Sequence, residues 1–99
     1  MATPVDLHPR AVADARAARR FYARGGAALV ARFMAELDDA IARVGANPQA
    51  WPPHTHGTRV CPFRHFPFDL VYVEEPARVL VVAVAHNRRR PGYWQRRLP

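Results

Sequence analysis

Val79-Leu80-Val81-Val82-Ala83-Val84-Ala85 is an unbroken apolar run, largely β-branched and preceded by the turn former Glu75-Pro76-Ala77-Arg78. Alternate side chains of a strand point to opposite faces, so an apolar run without polar interruption predicts a central strand covered on both sides. The run is also far shorter than the ~20 residues that cross a bilayer. Whatever else the chain does, it must bring apolar groups to both faces of this segment.

The first half of the chain has the helical period. His8-Pro9 reads as a helix start, with proline at the first helical position, where its missing N–H costs nothing. Val12, Ala15, Ala18 and Phe21/Tyr22 then recur at helical spacing up to Arg24, with Arg16, Arg19 and Arg20 on the other side. Gly25-Gly26 is a helix stop. A second helix is predicted from Ala27 to Val44 on the stripe Leu29, Val30, Phe33, Met34, Leu37, Ile41 and Val44, with Gly45 and Asn47-Pro48 ending it. Ahead of both, Val5-Asp6-Leu7 alternates as a short edge strand would.

Pro48 to Gly57, with three prolines and two histidines, reads as a loop. Beyond it the period becomes two. Thr58–Phe63 is a strand with Pro62 late in it, as at an edge or bulge. Arg64–Pro67 turns the chain, and Phe68, Leu70 and Tyr72 form the apolar side of the next strand. Helices followed by a meander predict a single α+β domain over 1–99, an N-terminal helical hairpin packed on a small antiparallel β-sheet, followed by a basic C-terminal tail.

Charge is concentrated in that tail. The chain carries a formal +7, all from arginine, and contains neither lysine nor serine. This excludes a Schiff-base lysine, a serine nucleophile and a phosphate loop of the Gly-Lys-Ser/Thr kind. Residues 76–99 hold six arginines and no acid, whereas residues 1–46 carry a net +2 and residues 47–75 a net −1. A stripe of this kind attracts polyanions or an acidic protein. The lone Cys61 reads as a small buried strand residue and suits a reducing, cytoplasmic setting, and the N-terminus lacks the pattern of a signal peptide. His54, His56, Cys61 and His65 are metal-ligand types without a zinc spacing, so no metal and no cofactor is expected.

Several short motifs fall in order along the chain: Leu7-His8-Pro9-x-Ala11, Phe21-Tyr22, Phe33 to Ile41, Asn47-Pro48, Arg59, Phe66-Pro67-Phe68, Val71-Tyr72, and Val84-Ala85-His86-x-Arg88-Arg89-x-Pro91-x-Tyr93-Trp94. In this order they resemble the RelE/ParE superfamily of type II toxin–antitoxin toxins, in the group often labelled plasmid stabilisation proteins. The resemblance implies a cytoplasmic toxin that inhibits growth unless bound by a cognate acidic antitoxin. It implies one of two targets: DNA gyrase for ParE-like toxins, or translated mRNA on the ribosome for RelE-like endonucleases.

Cleaving RNA through its 2′-hydroxyl requires a base, an acid and cations around the phosphorane. The nuclease resemblance places Arg88 at the C-terminal arginine and Tyr93 or Trp94 near the tyrosine; Arg59, Arg64, His65 and His86 are the candidates to substitute for the missing basic residues, with His86 as base or acid. It also places Asp69 where a phosphate-binding arginine is expected, and Val60-Cys61-Pro62 where lysines are expected. The ParE-like reading requires no catalytic set. Arg59, Arg88, Arg89, Arg90, Trp94 and Arg96 are the candidates for contact with a target or nucleic acid, with Trp94 packing inward and the arginines facing out. The residues alone leave both targets open, as well as a non-toxic basic nucleic-acid-binding module.

Overall fold

The computed structural model describes residues 2–99. β1 (Val5–Leu7) leads into α1 (Pro9–Ala23), and α2 (Ala27–Ala46) returns alongside it. β2 (Arg59–Pro62), β3 (Phe68–Glu74) and β4 (Val79–His86) complete a four-stranded sheet of order β1-β4-β3-β2. The apolar run of β4 is thus central, as its pattern requires. β2/β3 and β3/β4 are antiparallel, but β1 lies parallel to β4, with Val5 opposite Val79 and Leu7 opposite Val81. The sheet is therefore mixed rather than wholly antiparallel. The helical hairpin carries the chain from β1 to β2 at the opposite edge, and the β2–β3–β4 meander then returns to lay β4 parallel beside β1.

Both helices pack on one face of the sheet. Ala11, Ala15 and Ala18 of α1 and Phe33, Leu37, Ala40 and Val44 of α2 meet Cys61, Phe63, Phe68, Leu70, Tyr72, Val79, Val81 and Val84. Alanines on α1 let its backbone approach the sheet closely, while Phe33 fills the space beneath α2 against Phe63 and Phe68, with ring centroids 5.9 and 5.4 Å away. Tyr72 reaches through this core to donate its hydroxyl proton to the Pro48 carbonyl at 2.6 Å, and burial pushes its pKa up to about 12. Phe21 departs from the expected pattern. Tyr22 packs on Phe33 and Phe66, but Phe21, one residue around the helix, is 60 % exposed.

Gly26, at φ +100°, caps the start of α2 in a conformation that suits glycine. Gly45 behaves differently from the expected helix stop: α2 continues through it to Ala46. Its missing side chain makes room for the chain entering β1. A Cβ there would stand 3.2 Å from both the Thr3 carbonyl oxygen and Val5 Cγ2, and Thr3 N donates to the Gly45 carbonyl at 2.8 Å. Gly45→Val should overpack this contact and cost about 1–3 kcal/mol, read as a lower urea midpoint with an unchanged m-value.

Candidate functional site

The sheet's second face is covered by the chain's own tail. β4 carries a bulge: Val71 pairs with Ala83 but Tyr72 with Val81, leaving Val82 extra. Val79, Val81 and Val84 therefore face the helices, while Leu80, Val82, Ala83 and Ala85 join Val71 on the other face. Trp94, only 5 % exposed, packs there with Tyr93 and Leu98 beside it. This fits the expectation of an inward-facing Trp94.

One ion pair fastens the tail. β1 pairs with β4 only as far as His8 N, which donates to the Val81 carbonyl. Beyond that point side chains satisfy the edge of β4: Val84 N donates to Asp14 Oδ2 at 3.1 Å, and Arg97 Nη1 donates to the Val82 carbonyl at 3.0 Å. Arg97 also grips Asp14 with both guanidinium nitrogens, at 2.6 and 3.2 Å, in the fork geometry that suits a carboxylate. Both side chains are about one-seventh exposed, at 14% and 13%. The Tyr93 hydroxyl donates to the same carboxylate at 3.4 Å, and burial, with Asp14 adding to it, pushes the Tyr93 pKa up. Thus α1, the bulge in β4 and the tail meet at a single carboxylate.

Between the tail and the sheet lies a cleft of about 220 Å³. Asp69 and Val71 of β3 and Ala85 of β4 line it, together with His54, Arg89 and Arg90. Asp69 is the unusual member. Burial pushes its pKa up, only partly offset by the nearby His54 ring, and it has no hydrogen-bond partner among the described residues. This carboxylate opposes the approach of a phosphate, against the pull of the Arg89 and Arg90 guanidinium groups that line the same cleft.

The candidate catalytic residues Arg64, His86, Arg88 and Tyr93 do not all converge. Arg64, in the β2–β3 turn, pairs with Asp39 of α2 at 3.1 Å. His86 lies directly opposite Phe68, on the helix side of the sheet, and its Nδ1 accepts the Arg88 backbone N–H at 3.0 Å. Tyr93 is engaged by Asp14. His86 and Tyr93 do both reach the cleft, together with Arg89, Arg90 and Trp94, whereas Arg88 and Arg64 do not line it. Arg59 stands apart: it pairs with Glu74 at 3.1 Å and donates to the Trp51 carbonyl, tying the proline-rich loop to β2. Arg88, Arg90 and Arg96 are exposed.

Among the described residues no three His, Cys, Asp or Glu side chains are grouped to hold a metal ion. His65 instead meets Glu36 of α2 at 2.6 Å. Burial would raise the Glu36 pKa, but hydrogen bonds from the His65 and Phe66 backbones and the His65 ring more than offset it and hold the carboxyl low. Asp14 and Arg97 are the residues that the sequence reading missed. Their positions, one in a helix with a basic outer face and one in a basic tail, gave no local sign that they meet.

Two outcomes test this geometry. Asp14→Ala or Arg97→Ala leaves one member of a largely buried pair alone and should cost about 3 kcal/mol or more, with the double variant costing much less than the sum of the two. Urea unfolding of the four proteins measures the coupling. Asp69 has the opposite sign from a paired carboxylate: its folded pKa is raised, so its ionised form opposes folding. The folded state holds this proton to higher pH than the unfolded chain does, so stability falls as pH rises through the unfolded value of about 3.9 and up to the folded one. Asp69→Asn should therefore raise Tm at pH 7, and the gain should shrink as pH is lowered toward 3.5.

Comparison with known proteins bears on the same fold. No curated protein sequence matches the chain significantly. A chain in the solved structure described as "Chromosomal ParDE TA system from P. aeruginosa" superimposes with a TM-score of 0.76, over 85% of this chain and 95% of that one, at 12% sequence identity. At that identity the likeness is one of fold. No helix among the described residues is long and apolar enough to cross a membrane. The sequence model described as "ParE toxin of type II toxin-antitoxin system, parDE" matches residues 5–91, from β1 to the start of the tail, and the chain belongs to that toxin family.

Proposed function

We propose that this toxin inhibits growth by occupying a protein target, DNA gyrase, and does not cut mRNA. The observation that carries this reading is Asp69, a carboxylate without a hydrogen-bond partner in the cleft between sheet and tail, at the strand position where the nuclease resemblance expects a phosphate-binding arginine. The separate engagements of Arg64, His86 and Tyr93 point the same way, since each has a structural partner of its own. What faces outward is a basic surface, Arg88, Arg89, Arg90 and Arg96, suited to meeting a macromolecule.

The antitoxin is the second partner, and the groove between the two helices supports a seat for it. The chain's own tail already covers the sheet. Between α1 and α2 runs a groove with Val12, Ala15, Met34 and Ile41 along it, Arg16 and Arg19 on its α1 side and Asp38 on its α2 side, opening toward Arg20, Ala23 and Val30. An apolar floor under a basic rim complements an acidic amphipathic segment that folds on binding.

Expressed alone, the protein should arrest growth, and the purified protein should inhibit gyrase supercoiling while leaving mRNA on programmed ribosomes intact. An Arg88→Ala/Arg89→Ala/Arg90→Ala variant at equal protein level should lose the arrest. Cleavage of ribosome-bound mRNA by the wild type, abolished in His86→Ala, would assign the protein to the endonucleases instead.

A further inference from the structure

A second cleft, of about 350 Å³, lies where the tail passes the start of α1. His8, Arg10, Arg89, Tyr93, Arg96 and Arg97 line it, and no acidic side chain does. Arg97 is neutralised by Asp14, which leaves Arg10, Arg89 and Arg96 as exposed guanidinium groups around one concavity. Arg89 lies flat enough on Tyr93 for its guanidinium carbon to stand 3.9 Å from the ring centroid, a stacking that holds the fork in place.

Two further observations point to an anion. Arg10 sits in the first turn of α1, where the helix dipole disfavours a cation, and that turn holds no acid to compensate it. His8 spends its Nδ1 on the Arg10 backbone N–H at 3.0 Å, so its other ring nitrogen is the one left for a ligand. The cleft offers no aliphatic floor: Tyr93 is its one apolar body. That separates it from the groove between α1 and α2, whose apolar floor suits a peptide. Clustered guanidinium forks, one of them held on an aromatic ring, suit phosphate oxygens.

We propose that this cleft binds the phosphodiester backbone of a nucleic-acid strand, without cleaving it. This goes beyond the gyrase reading and is separable from it, since one is read by supercoiling and the other by direct binding. Labelled dT20 and rU20 are titrated with purified protein across a salt series by fluorescence anisotropy. Two triple variants that remove equal charge are compared, Arg10→Ala/Arg89→Ala/Arg96→Ala in the cleft and Arg16→Ala/Arg19→Ala/Arg20→Ala on the helical hairpin. Three phosphate contacts to a single strand contribute a slope of about 2 in log K against log salt. The cleft variant should lose this slope and at least about tenfold in affinity at low salt, with the hairpin variant close to wild type. Recovery of both oligonucleotides at full length, and tighter binding of one of them, would support the assignment and identify the strand as DNA or RNA. Equal weakening in both variants, no binding by the wild type, or displacement by polyglutamate at matched charge would overturn it.

Discussion

The contact between Asp14 and Arg97 holds the second face of the sheet closed. A central apolar strand requires cover on both faces, and two helices can supply only one. The other cover must come from the tail, and a short segment with a single 3₁₀ turn, Gln95–Arg97, has little secondary structure of its own to hold it in place. The carboxylate on α1 provides the hold. It satisfies the edge of β4 left open where β1 ends, and it takes up the tail's arginine. Losing either partner leaves a charge and a backbone group without compensation, which is why the coupling exceeds that of an exposed pair.

Function follows from how the remaining charge is left over. Arg43, Arg59, Arg64, Arg78 and Arg97 each pair with acids, so five of the chain's fifteen arginines serve structure. Of the tail arginines without an acidic partner, Arg89 and Arg90 line the cleft that contains Asp69, and Arg88 and Arg96 lie outside it. The arrangement divides the surface by character: an apolar groove with a basic rim between the helices, and a polar, arginine-lined cleft beside the tail.

Much of the fold was legible in the residues because period and punctuation are local. Helical spacing gave α1 and α2, and the β-branched run gave β4. Where sequence reasoning failed, the physics was non-local. Gly45 has the composition of a stop, yet its role is to admit Thr3 and Val5 from the other end of the chain. The parallel pairing of β1 depends on a crossover that no alternation in a three-residue strand encodes. Phe21 and Tyr22 are adjacent apolar residues, and only the direction of the helix axis decides which is buried. The candidate site was readable in part: Asp69 was recognised as out of place for a nuclease, and the structure adds that it is unpaired. The Asp14–Arg97 pair spans most of the chain and was invisible until the tail was folded.

The most direct test of the account follows Trp94 itself. In a Trp51→Phe background its emission reports only the covered face of the sheet. The account predicts blue-shifted emission with weak acrylamide quenching in the parent, and a red shift with strong quenching in Asp14→Ala while far-UV circular dichroism shows the helices retained. Emission from Asp14→Ala that stays blue-shifted and protected would contradict it, since the tail would then be held over the sheet without the carboxylate.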